Sequence, residues 1–144
     1  MSQASATKNT RVELEATRIT VTVDDAAREE PTMTFEKHAD DTGVRVGPKG
    51  NIHVPFGGHR LVFERGGPNA SSWVFRDMKL KHNPVGPAIG IRTGETTDEW
   101  IELLNHNRNN TGEPITYEYG IVIEETATGK RSWIDPVIEN ESGT

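Results

Sequence analysis

Between Ile115 and Ile123 the chain alternates with a period of two. Ile115, Tyr117, Tyr119, Ile121 and Ile123 share one parity, and Thr116, Glu118, Gly120 and Val122 share the other. Wound as a helix, this stretch would scatter its apolar residues around the circumference. As a strand it gathers them on one face. The run ends at Glu124-Glu125, and Thr126-Ala127-Thr128-Gly129 reads as a short turn with glycine placed for positive φ. The chain then returns as Lys130 to Asn140, completing a β-hairpin. Pro136, on the returning arm, has no N–H to give a ladder. The final strand, Trp133 to Asn140, is therefore expected at or near a sheet edge, where it can pair with another copy.

The rest of the chain is short alternating runs separated by Gly, Pro and Asn. Val12, Leu14 and Ala16 alternate, then Ile19, Val21 and Val23 on the opposite parity, which predicts a bulge or bend at Thr17-Arg18. Asp24 to Pro31 has room for one helical turn. Met33/Phe35, Ile52/Val54, Leu61/Phe63 and Trp73/Phe75 each mark a further strand. Residues 96–106 are ambiguous. Thr96-Thr97-Asp98-Glu99 resembles a capping box, but the aromatic and β-branched neighbours favour a strand over 99–105 paired with Tyr117–Ile123. Fourteen Gly, eight Pro and a hydrophobic fraction of 33% in 144 residues suit one domain with many turns. About eight strands and no long helix predict an all-β fold, a single antiparallel β-sandwich of Greek-key or immunoglobulin-like type, with a small barrel as the alternative. Residues 1–10 read as a disordered polar tail and 11–144 as the domain. Trp73, Trp133, Phe63 and Tyr117 are the candidate core aromatics, with Tyr119 set aside as a candidate functional one.

Composition narrows the function. A net charge of −6 without a Lys/Arg cluster argues against nucleic acid. No apolar run approaches the ~20 residues of a membrane helix, and the N-terminus lacks the apolar core of a secretory signal, so a cytoplasmic protein without a membrane partner is expected. There are no cysteines, hence no disulfide and no thiol chemistry. Nucleotide loops, nucleophile elbows and helix-borne zinc motifs are missing, and no cofactor is expected. His53 and His59 flank the Gly57-Gly58 turn and, with Glu64, form a weak metal candidate; solvated surface histidines are the commoner explanation, and no metal is expected. The sequons at Asn69, Asn109 and Asn140 read as ordinary polar loops.

Two dipeptides frame the hairpin, Glu113-Pro114 at its entrance and Asp135-Pro136 on its return. The frame E-P … Y-x-Y-x-I-x-I … T-G … D-P-x-I-x-N resembles the small bacterial DP-EP family over about the last 30 residues. The same ending is similar to that of bacterial sandwich families resembling inclusion-body proteins. Members of the DP-EP family are β-sandwiches to which self-cleavage of the Asp-Pro bond is attributed. The resemblance thus implies an intramolecular peptidase acting on Asp135-Pro136. A tethered carboxylate can attack with an effective molarity of about 10⁵–10⁸ M. The acid that protonates the proline nitrogen is expected to be Glu113, with Glu118 in reserve and Tyr119 as donor to the oxyanion. The alternative is a non-catalytic sandwich that binds a partner or assembles with itself through its edge strands.

Overall fold

The computed structural model describes residues 14–40, 42–82 and 91–143. The expected tail, 1–10, lies outside them. Eleven strands form among the described residues: β1 Glu15–Val23, β2 Met33–Lys37, β3 Arg45–Val46, β4 Ile52–Val54, β5 His59–Gly66, β6 Trp73–His82, β7 Ile91–Thr96, β8 Trp100–Asn105, β9 Ile115–Glu125, β10 Arg131–Ile134 and β11 Val137–Asn140. A 3₁₀ turn at Ala70–Ser72 is the one helical element among these residues. The first sheet runs β2-β1-β5-β8-β7. In the second, β9 is central, with β6 on one side and both β10 and β11 on the other, followed by β4 and β3.

The all-β, two-layer fold is therefore as expected, but both sheets are mixed. β1 pairs with β5 in parallel, and β11 pairs with β4 in parallel. Period-two patterning reports which face is buried and is silent on strand direction. No slip occurs at Thr17-Arg18: the β1–β5 register is unbroken from Glu15↔His59 to Thr22↔Gly66, and buried Thr17 keeps the parity of Ile19 and Val21. Asp24 to Pro31 forms turns instead of a helix, because the Asp24 carboxylate accepts from the N–H of Asp25 and Thr32. Trp100–Asn105 is a strand, but it pairs with β5 and β7 and makes no ladder with β9. The helix-start signal before it serves a hairpin turn. Thr97 Oγ1 accepts from Trp100 N at 3.0 Å while Thr97 N donates to Trp100 O at 2.8 Å.

Aromatic rings join the sheets. Phe35 and Phe63 of the first meet edge to face at 6.1 Å, and Phe63 lies 5.9 Å from Tyr119 of the second. Trp73, Phe63 and Tyr117 are buried as expected; Trp133 is 63% exposed and is not a core residue.

A second, polar joint lies at one end of the sandwich. Asn105, at the end of β8, and Asn140, at the end of β11, exchange two side-chain amide bonds of 2.7 and 3.1 Å. From Asn105 the asparagines climb in steps of two. Asn107 N donates to Asn105 Oδ1, Asn109 N to Asn107 Oδ1, and Thr111 N to Asn109 Oδ1. Asn107 adopts φ 29°, a left-handed conformation that asparagine tolerates. Its Nδ2 reaches the carbonyls of Val54, Pro55 and Glu141, and Asn109 Nδ2 reaches those of Glu113 and Asn140. Asn109 and Asn140, expected in ordinary polar loops, are thus buried parts of this ladder. An Asn105→Ala variant strands the Asn140 amide and the Asn107 N–H in a buried site, so it should lose at least about 2 kcal/mol of stability by urea unfolding. Exposed Asn110→Ala should stay within about 0.5 kcal/mol of wild type in the same assay.

Candidate functional site

The hairpin return runs through its proline without changing step. The offset between partners is constant from Arg131↔Glu124 through Ile134↔Ile121 to Val137↔Glu118 and Asn140↔Ile115. Asp135 therefore lies opposite Gly120 and Pro136 opposite Tyr119. Tyr119 N donates to Pro136 O at 3.0 Å, so the polar backbone groups of Pro136 face β9. The missing N–H costs one ladder bond and interrupts the strand there. β11 is not an edge, since β4 flanks it, and Ile138 and Asn140 are buried. β10 alone keeps the expected edge position. Pro136 is tolerated next to the sheet interior because its cost is confined to that one bond.

Strand alternation turns Arg131, Trp133 and Asp135 to the outer face, beside Glu124, Val122 and Gly120 of β9. Across β9, Asp77 lies opposite Val122 and Lys79 opposite Gly120. Gly120 has no side chain to fill the gap. Around it lies an open depression of about 410 Å³, walled by Trp133 and rimmed by Asp77, Lys79, Arg131 and Asp135. Glu124 anchors one end. Hydrogen bonds from Arg76, and from Arg131 at 3.0 Å, hold its carboxyl below the usual carboxylate range. Arg76 in turn reaches Asp98 at 3.1 Å.

The structure brings some of the residues implied for self-cleavage together and separates others. Asp135 is exposed on the outer face and Pro136 is buried. Glu118 is exposed opposite Val137, a diagonal neighbour of Asp135 at roughly 7–8 Å. Glu113 lies elsewhere. Its carbonyl accepts from Asn109 Nδ2, which also binds the Asn140 carbonyl, five strand residues or about 17 Å from Asp135. The acid role expected of Glu113 is not met, because the E-P pair sits at the far end of β9. Tyr119 points inward, and its hydroxyl donates to the Gly50 carbonyl at 2.5 Å. Burial pushes its phenol well above the ordinary range, so it is a neutral core donor on the opposite face from Asp135.

The histidines also separate. His53, in the second sheet, faces Glu139 at 3.4 Å and Glu141 at 2.6 Å. His59 is buried in the first sheet. Glu64 is held by Arg18 at 2.9 Å. Sequence reasoning missed Trp133 and the charges around it by assigning the tryptophan to the core. A usable signal was present: in R-S-W-I-D the tryptophan shares its parity with two charged residues, the pattern of an outward face.

No family model matches the chain, and no curated protein matches it. Among solved structures it is similar to an inclusion body protein, PixA, from Burkholderia cenocepacia, at 10% identity and a TM-score of 0.45 over 90% of this chain and 97% of that one. The resemblance of the last residues to the DP-EP family thus stands on those residues alone. No helix of the described residues is long and apolar enough to cross a membrane.

His59 sets a pH dependence. Burial pushes its imidazole below the ordinary value, against weaker opposing effects of the Glu15 carboxylate and the Pro55 carbonyl, and its Nδ1 has no hydrogen-bond partner among the described residues. With the folded value lowered, the unfolded chain binds more protons, and stability rises with pH across that window. The contribution is complete above about pH 6.5 and is lost as pH falls below it. Wild type should therefore melt lower at pH 5 than at pH 7, and a His59→Gln variant should show a shallower drop by calorimetry.

Proposed function

We propose that this chain is a non-catalytic β-sandwich that recognises a partner through the outer face of its second sheet, centred on Trp133. One observation carries this reading: a large aromatic side chain stands 63% exposed on an edge strand, beside a glycine-floored depression rimmed by charges of both signs. Isolated exposed apolar residues are ordinary. A tryptophan with a fixed polar surround on an edge strand is the composition of an interaction hot spot, where an aromatic anchor is ringed by groups that exclude water. Its backbone comes from a rigid ladder, so little ordering is needed on binding. Catalysis has less support, since Glu113 and Tyr119, two of the three groups expected to assist Asp135, lie away from it.

Self-cleavage at Asp135-Pro136 remains the competing reading, favoured by the exposure of the Asp135 carboxylate beside the scissile bond. Intact-mass measurement of folded protein aged for weeks at neutral pH separates the two. The binding reading expects one species at the full 15.9 kDa. A growing pair of fragments ending at Asp135 and beginning at Pro136, abolished by Asp135→Ala, overturns it. Trp133→Ala should leave the melting temperature within about 2 °C of wild type, as for a surface position. It should also remove most of the fluorescence that a water-soluble quencher reaches, since Trp73 is buried and Trp100 half-buried.

A further inference from the structure

We infer that the partner of this face is a second copy of the chain, joined by antiparallel pairing of the two β10 strands about a two-fold axis at Trp133; this rests on the binding reading above. The backbone groups of Pro136 face β9, so by alternation those of Arg131, Trp133 and Asp135 face away from it. On the same side the Val137 N–H is taken by Asn51 Oδ1 at 3.2 Å, and β4 continues from there beside β11. That contact marks one end of an open lane alongside 131–135. Among the described residues no strand occupies it. Lys130 closes the inner side, its ammonium held by the carbonyls of Ala26 and Arg28. Access is left in the plane of the sheet and on the outer face.

The sequence of the edge is self-complementary. With Trp133 opposite the partner's Trp133, Arg131 falls opposite the partner's Asp135, and Asp135 opposite the partner's Arg131. All lie on the outer face. Opposite charges directly across a ladder attract, and two tryptophans across it pack. An antiparallel ladder over the three residues carries about six backbone hydrogen bonds across the axis. Pro136 does not interfere, because its missing N–H faces β9. Arg131 engages Glu124 through Nε and retains further N–H donors for a second carboxylate. On the inner side Ile134 meets the partner's Ser132, a small residue that fits beside it. Of the other edges of this sheet, β3 is only two residues long and β6 is poorly suited. It has register shifts near Arg76 and after Leu80, and Phe75 N is already bound to Asp98 O. An isologous pairing closes at two copies and makes one continuous sheet.

Analytical ultracentrifugation with charge exchange tests this. Wild type should associate to twice the 15.9 kDa chain as concentration rises. Arg131→Asp and Asp135→Arg should each associate at least about tenfold more weakly, since two attractive cross-strand pairs become two like-charge pairs. An equimolar mixture of the two variants should recover the dimer. The aspartate introduced in one variant then faces the arginine introduced in the other, and the unaltered Asp135 of the first faces the unaltered Arg131 of the second. Far-ultraviolet circular dichroism of each variant confirms that it is folded. Asp135→Arg leaves the Glu124 contact of Arg131 in place, so it serves alone if Arg131→Asp does not fold. Three results overturn the inference: an intact wild type that stays monomeric throughout, folded single variants that dimerise like wild type, or a folded mixture that stays monomeric. The first leaves the binding reading standing with a different occupant of the lane. Fragments in the mass spectrum would instead remove the binding reading itself.

Discussion

The reciprocal amide pair between Asn105 and Asn140 is the constraint on which the ends of both sheets depend. Each asparagine terminates a strand, one in each layer, and each is shielded from water. A buried primary amide has two donors and an acceptor with two lone pairs, so leaving any of them unmatched is costly. Here each amide donates one hydrogen bond to the other, and the ladder through Asn107 and Asn109 satisfies the carbonyls of Val54, Pro55, Glu113, Asn140 and Glu141. The ends of β4, β8 and β11 and the entrance to β9 are thereby fixed together. Hydrophobic packing alone is non-directional and would leave them free to slide.

Because the end of β11 is pinned, the register of the whole hairpin return is pinned with it. One step of slip would turn Ile138 outward and expose its apolar face. The same step would move Trp133 inward and Asp135 off the outer face. The proline sits in a strand whose register is set on both sides of it, which explains how Asp135 and Pro136 keep their places opposite Gly120 and Tyr119 despite the lost ladder bond. The surface around Trp133 is therefore a consequence of the polar joint at the far end of the same hairpin arm.

That surface combines two kinds of interaction at different strengths. The ion pairs among Arg76, Arg131, Glu124 and Asp98 are exposed and contribute little to folding individually. Their effect is to hold side-chain positions and to arrange positive and negative charge along β10. The exposed indole supplies apolar area left open to solvent. Specificity from charge order and affinity from an aromatic anchor is the usual division at protein interfaces.

Period two determined the fold class and most of the core, because alternation alone records which side chains leave water. Ile121, Ile123, Leu61 and Phe63 needed no tertiary information. Thr97 illustrates the limit of local signals: the same side-chain oxygen that starts a helix also closes a hairpin, and only the sheet beside it selects the latter. Strand direction, the β11–β4 pairing and the asparagine ladder were decided by the tertiary structure, since each joins residues distant in sequence and polar residues carry no burial signature of their own. The same holds for the site. Asp135 and Pro136 stood out as a dipeptide. Whether Glu113 or Lys79 shares their surroundings depends on register and on which strand flanks β9, and neither is written in local alternation. Trp133 was misplaced because hydrophobicity predicts burial only on average, whereas the outward parity of β10 was fixed by its neighbours.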